Sequence, residues 1–110
     1  MDIDFTNHVA LVAEVDEDEQ SVIVGGGRYI IGQPGRAELA FTVVDAYQGK
    51  GIGTMLMRHL LAIAREAGLK ELTAEVLPEN AAMLKVFSRF GFRAVSGSDP
   101  QVRHLTLQLA

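Results

Sequence analysis

An apolar, β-branched run ending at Val43-Val44 is followed by three alternating glycines, Gly49, Gly51 and Gly53, and then at once by an amphipathic helical pattern. Glycines at the first turn weaken a helix, so three of them there call for a reason beyond the turn itself. A strand that stops at such a turn, on the amino-terminal end of a helix, exposes backbone N–H groups and the positive end of the helix dipole. Both suit a phosphate anion, which the missing side chains allow to approach closely. Lys50 adds a cation beside them. The stretch lacks the Gly-Lys-Ser/Thr ending of a P-loop and the Gly-x-Gly-x-x-Gly spacing of a dinucleotide fingerprint, so neither of those loops describes it.

The rest of the chain fixes what surrounds this junction. His8 to Val15 reads as a strand, the polar run Asp16 to Gln20 as a hairpin turn, and Ser21 to Ile31 as a second strand. Gly25, Gly26 and Gly27 mark a bulge or a close backbone approach in that second strand. A turn over Gly32 to Arg36 leads into a third strand, Ala37 to Val44. From Ile52 to Ala67 the apolar residues Ile52, Leu56, Leu60 and Ala64 recur at helical spacing, and Gly68 stops the helix. Glu71 to Leu77 is again a strand, Asn80 caps a helix running to Phe90, and Phe92 to Val95 and Val102 to Leu109 form a closing hairpin. The order predicts an α/β (α+β) fold of one domain over residues 1–110, a mixed and mostly antiparallel central sheet covered by helices.

Composition excludes several functions. The chain has no cysteine, which removes disulfides, thiolate catalysis and cysteine-ligated zinc and suits a reducing cytoplasm. A formal charge of -4 argues against nucleic acid as the main partner. No apolar run is long enough to cross a bilayer, and Met1 to His8 does not have the pattern of a secretory signal. His8, His59 and His104 are too scattered to suggest a metal.

The segment Gln48-Gly49-Lys50-Gly51-Ile52-Gly53 resembles the Gln/Arg-x-x-Gly-x-Gly/Ala acyl-CoA motif of the GNAT superfamily of N-acyltransferases. Residues Asn80 to Phe92, with Gly91 before Phe92, are similar to that family's later helix. The resemblance covers roughly residues 9–109. It implies acetyl-CoA as cosubstrate, its pyrophosphate held by the backbone from Gln48 through Thr54, Ile52 included, its pantetheine arm along Val43 and Val44, and Asn80 in contact with the arm. It further implies acetyl transfer to a primary amine, on a protein lysine or a small molecule, by direct attack in a ternary complex. The segment Ala37-Glu38-Leu39-Ala40-Phe41 resembles a strand of the protein-lysine acetyltransferase branches, in which the matching glutamate is the general base.

The residues support that role independently. An amine acceptor is protonated at neutral pH and must lose a proton before it attacks, which a carboxylate can assist. Glu38 interrupts an apolar strand, on the same face as Thr42 and opposite Phe41. Five residue steps, about 17 Å of strand, lead from it to Val43, within the reach of a pantetheine arm. Glu75 is the reserve base, and the acidic run Asp16 to Glu19 reads as a solvated hairpin tip.

Two departures stand against the resemblance. Many family members carry a tyrosine acid where this chain has Phe87, with Tyr29 and Tyr47 as substitutes more readily read as structural aromatics. Members also usually begin with a strand and two helices, whereas only Met1 to His8 precede the first strand here. That leaves a compact member, a piece of a larger protein, or a subunit completed by a neighbour, and an uncovered sheet edge favours a homodimer. The rival reading is a non-catalytic acyl-CoA-binding module.

Overall fold

The computed structural model describes residues 7–96 and 99–109. The start of the segment before His8 and the centre of the 96–101 loop therefore lie outside the described residues. Within them the strands are β1 (His8–Glu17), β2 (Gln20–Gln33), β3 (Arg36–Val43), β4 (Glu71–Val76), β5 (Arg93–Val95) and β6 (Arg103–Gln108). The helices are α1 (Ile52–Glu66) and α2 (Ala81–Arg89), with a 3-10 turn at Asp45–Tyr47.

The strands form one sheet in the order β1-β2-β3-β4-β6-β5. The pairing of β3 with β4 is parallel and the other pairings are antiparallel. The β1–β2 hairpin is tighter than the sequence suggests. Strand pairing continues to Glu17↔Gln20, so the turn is confined to Asp18 and Glu19, both with positive φ. The bulge expected near the triple glycine is present: the register slips between Ala13 and Glu14, opposite Val24.

The glycines of β2 also serve packing. A Cβ on Gly27 would lie 2.7 Å from the Phe41 ring and 2.9 Å from Leu60 Cδ1, and one on Gly25 would lie 2.9 Å from the Thr42 carbonyl oxygen. Their absence lets α1 and the Phe41 ring settle onto the sheet.

Both helices contribute to a core on one face. Leu56, Leu60, Leu61 and Ala64 of α1 and Met83 and Phe87 of α2 are buried with Tyr29, Leu39, Leu72 and Val76 of the sheet. At about 25 cal/mol per Å² of apolar surface, such side chains stabilise the fold by roughly 1.5–3 kcal/mol each. The sequence predicts a sheet covered by helices, and in the structure the helices occupy one face. The opposite face carries the alternate residues, among them Glu38 and the exposed Val12, Ile23, Ile30 and Val95. No helix of the described residues is long and apolar enough to cross a membrane.

Candidate acyl-CoA cleft and acceptor site

The site follows from one feature of the sheet. β3 and β4 pair only from Arg36↔Glu71 to Leu39↔Ala74. Beyond that point β4 continues along β6, while β3 runs on through Ala40 to Val43 without β4 beside it. The fork exposes the backbone edge of β3 and opens a cleft of about 520 Å³ between β3 and α2.

The glycine junction closes one end of the cleft. Gly49 and Gly51 have φ of 80° and 86°, the left-handed region that glycine enters without strain. Gly51 is the amino-terminal cap of α1 and offers no side chain to its first-turn N–H groups. The N–H groups of Ile52, Gly53 and Thr54 precede the point at which helical hydrogen bonding begins, and they carry the positive end of the helix dipole. The Gln48 side chain donates to the Val43 carbonyl at 3.3 Å, bracing the loop against the strand end. Lys50 Nζ lies 5.1 Å from the centroid of the Tyr47 ring.

Of the residues singled out in the sequence, Val43, Gln48, Gly49, Gly51, Gly53, Thr54 and Asn80 line this cleft together. Lys50, Ile52 and Val44 do not line it. Ile52 turns its side chain into the core, so its backbone alone is available to a ligand. Val44 donates its N–H to the Val24 carbonyl and accepts from the Tyr47 N–H, both at 2.8 Å, so both its backbone groups have partners within the chain. Asn80 caps α2, its side-chain oxygen accepting from the Met83 N–H at 3.2 Å, while still bordering the cleft.

Glu38 lies outside the cleft, on the open face, in register with Ile30 on one side and Thr73 on the other. Its pair with Thr73 is the last but one before the fork. A second, shallower depression of about 340 Å³ runs along the open face over Gly26, Arg28, Ala40 and Thr42. Thr42 borders both depressions, which places the two faces of the sheet in reach of each other at the fork.

The position that the resemblance gives to a tyrosine acid is a core position here. Phe87 packs edge-on against Phe41 at 5.7 Å and Phe92 at 4.7 Å between ring centroids. Tyr29 is buried, which raises its phenol pKa. Tyr47 borders the cleft, but a hydrogen bond to Glu17 raises its pKa first, with burial and the Glu17 charge adding to the effect. Neither phenol is thereby made a stronger acid.

Glu75 extends β4 past the fork on the Glu38 face, 3.7 Å from His104 Nδ1, while His104 Nε2 is enclosed without a hydrogen-bond partner. Glu71, by contrast, is committed to structure. It takes hydrogen bonds from Arg36, Thr106 and Gln108, and the Arg36 guanidinium foremost holds its pKa below the usual range. Among the described residues no group of three or more His, Cys, Asp or Glu could hold a metal.

Sequence reasoning missed the far wall of the cleft, where Lys85, Val86 and Arg89 of α2 face the glycine loop. The signal was two cations one helical turn apart, but which stripe of α2 meets the cleft depends on the docking of the helix.

A glycine-rich helix start without a side-chain cap, beside a forked parallel strand pair, fits a diphosphate with an extended arm along β3. The Acetyltransferase (GNAT) family model matches residues 2–92. The chain belongs to the GNAT acetyltransferase family. Among its relatives, an acetyltransferase of Pseudomonas aeruginosa is 39% identical over 101 residues, covering 91% of this chain and 53% of that protein. The GNAT chain thus spans about half the length of this curated relative. The GNAT domain of the S. lividans PAT superposes with a TM-score of 0.81 at 34% identity, over 97% of this chain and 64% of that one. The fold is also that of YncA of Salmonella typhimurium, solved with acetyl-CoA, with a TM-score of 0.71 at 24% identity over 81% of this chain and 60% of that one.

Proposed function

We propose that the chain transfers an acetyl group from acetyl-CoA to a primary amine. The observation that carries this reading is the fork. It joins a cleft floored by the glycine loop, on the helical face, to a carboxylate on the open face, within one strand.

In this arrangement the first-turn amides of α1 hold the diphosphate, and the arm lies along Ala40 to Val43, where β3 has a backbone edge to offer. The thioester then reaches the fork near Thr42 and Ala40. The acceptor approaches across the open face, where Glu38 takes a proton from its ammonium group, directly or through water. The free amine attacks the thioester carbonyl, the C–N bond forms and the C–S bond breaks. Glu38 passes the first proton to solvent and takes the excess proton from the amide nitrogen as the bond forms, and the thiolate takes a proton from solvent. Solvent suffices because a thiolate is a good leaving group near neutral pH, and Phe87 has no proton to give. Holding both reactants at the fork supplies the usual gain of proximity and orientation.

The acceptor we favour is a protein lysine. The Glu38 strand resembles that of protein-lysine acetyltransferases, and Ile30, paired with Glu38 on the open face, is an exposed apolar side chain that a bound polypeptide would cover. The absence of cysteines suits a reducing cytoplasm as the place of the reaction. β1 is a sheet edge among the described residues, and unpaired edge groups favour association between copies, which sedimentation would reveal.

A thiol-release assay with acetyl-CoA, run against lysine peptides and small amines, tests the reading. Thiol release that depends on the amine, with acetylated product by mass spectrometry, supports it. The buried Phe87 favours a second reading, a module that binds acyl-CoA without turnover, which the same assay separates because no acceptor would then yield product.

A further inference from the structure

The wall of the cleft opposite β3 is formed by α2, chiefly by the stripe Ala82, Lys85, Val86 and Arg89, with Met83 at its edge. Met83 and Phe87, on the adjacent stripe, are buried and anchor the helix. Lys85 and Arg89 are exposed, one helical turn apart, and neither forms an ion pair among the described residues. Like charges at that spacing weaken a helix, so local stability does not account for the pair. Arg89 alone, in the last turn, would satisfy the helix dipole.

The stripe also lies against the glycine junction. A Cβ built on Gly53 would sit 3.5 Å from Met83 Cε and 3.7 Å from Val86 Cγ2. Lys85 and Arg89, on the stripe that carries Val86, thus line the same cleft as Gly51, Gly53 and Thr54. The first-turn amides and the dipole already answer the diphosphate, so the cations remain for another negative group.

Resting on the acetyl-CoA reading, we infer that Lys85 and Arg89 seat the ribose 3′-phosphate of the cosubstrate, so that this chain selects 3′-phosphorylated CoA thioesters over those lacking that group. A phosphomonoester carries about two negative charges at neutral pH. Side chains at this helical spacing start about 6 Å apart, and their flexible stems let both heads meet one phosphate. Arginine contributes a planar fork and lysine a mobile point charge. Both heads border open solvent, so each contact adds modestly to affinity and the pair acts mainly on selectivity.

Isothermal titration of the whole chain with acetyl-CoA and with 3′-dephospho-acetyl-CoA tests this. Wild type is expected to bind acetyl-CoA about tenfold more tightly than the dephospho compound. The Lys85→Ala, Arg89→Ala double variant, altered at exposed positions, is expected to bind both within about twofold of each other, at the wild-type affinity for the dephospho compound. Arg89→Lys should keep part of the preference. Equal binding of the two compounds by wild type, or a preference that survives in the double variant, overturns the inference and leaves the acyltransferase reading standing. Binding of neither compound by wild type overturns both.

Discussion

Glu38 and Thr73 face each other in register across the parallel β3–β4 pair, one pair before the strands separate. The carboxylate thereby stands on the open face beside the point where the thioester would emerge. Glu38→Gln keeps the shape and removes the base. The expected result is acetyl-CoA affinity unchanged by titration, with turnover reduced by about 10²–10⁴-fold. The loss should be greatest toward lower pH, where less of the acceptor amine is free. Unchanged rates would move the base elsewhere, with Glu75 next in line.

Gly51 holds φ of 86° at the cap of α1, and nothing lies within 4 Å of where its Cβ would be. Gly51→Ala therefore meets a backbone penalty without a steric clash, about 1–2 kcal/mol, seen as a lower midpoint in urea denaturation. Because Gly51 lines the cleft, acetyl-CoA affinity should fall as well. Gly53 differs, since its nearest neighbours would be at ordinary contact distance. Gly53→Ala should fold at least as well as wild type.

Phe87 is a packing residue in this account. Phe87→Ala should cost about 3–5 kcal/mol in denaturant, the range for deleting a buried aromatic ring. Phe41, which packs edge-on against it and lines the cleft, would lose a support, so acetyl-CoA binding should weaken in the molecules that remain folded.

The Glu71 cluster gives stability a pH dependence of definite sign. Hydrogen bonds from Arg36, Thr106 and Gln108 favour the carboxylate, so the folded-state pKa lies below the unfolded value. Its contribution is then fully present above the ordinary glutamate range, about pH 4.3, and disappears as pH falls through the lower folded-state value. Denaturation of wild type and Glu71→Gln across this range should show wild type more stable at neutral pH and the gap closing in acid. A gap independent of pH would contradict the assignment.

Local pattern made much of this legible. Alternation around Ala37, Leu39 and Phe41 fixed the face of Glu38, and the glycines at 49, 51 and 53 marked the strand-to-helix junction. Asn80 announced its cap and Gly91 its stop. The fork was not legible, because it depends on strand order: β4 reaches β3 only after a helix, then follows β6 away from it. For the same reason Phe87 could not be seen to meet Phe41, nor Lys85 and Arg89 to face the glycine loop. Such contacts join residues far apart in the chain, and no local periodicity encodes them. The strand ends were also misjudged at the first hairpin, where Asp18 and Glu19 adopt the positive φ more usual for glycine or asparagine.

The most direct measurement is isothermal titration of the chain with acetyl-CoA, repeated on Gly51→Ala. Saturable binding at one site, weakened by the substitution, is the predicted result. Absence of binding by wild type, or binding indifferent to Gly51, would contradict the claim that the glycine junction holds the cosubstrate.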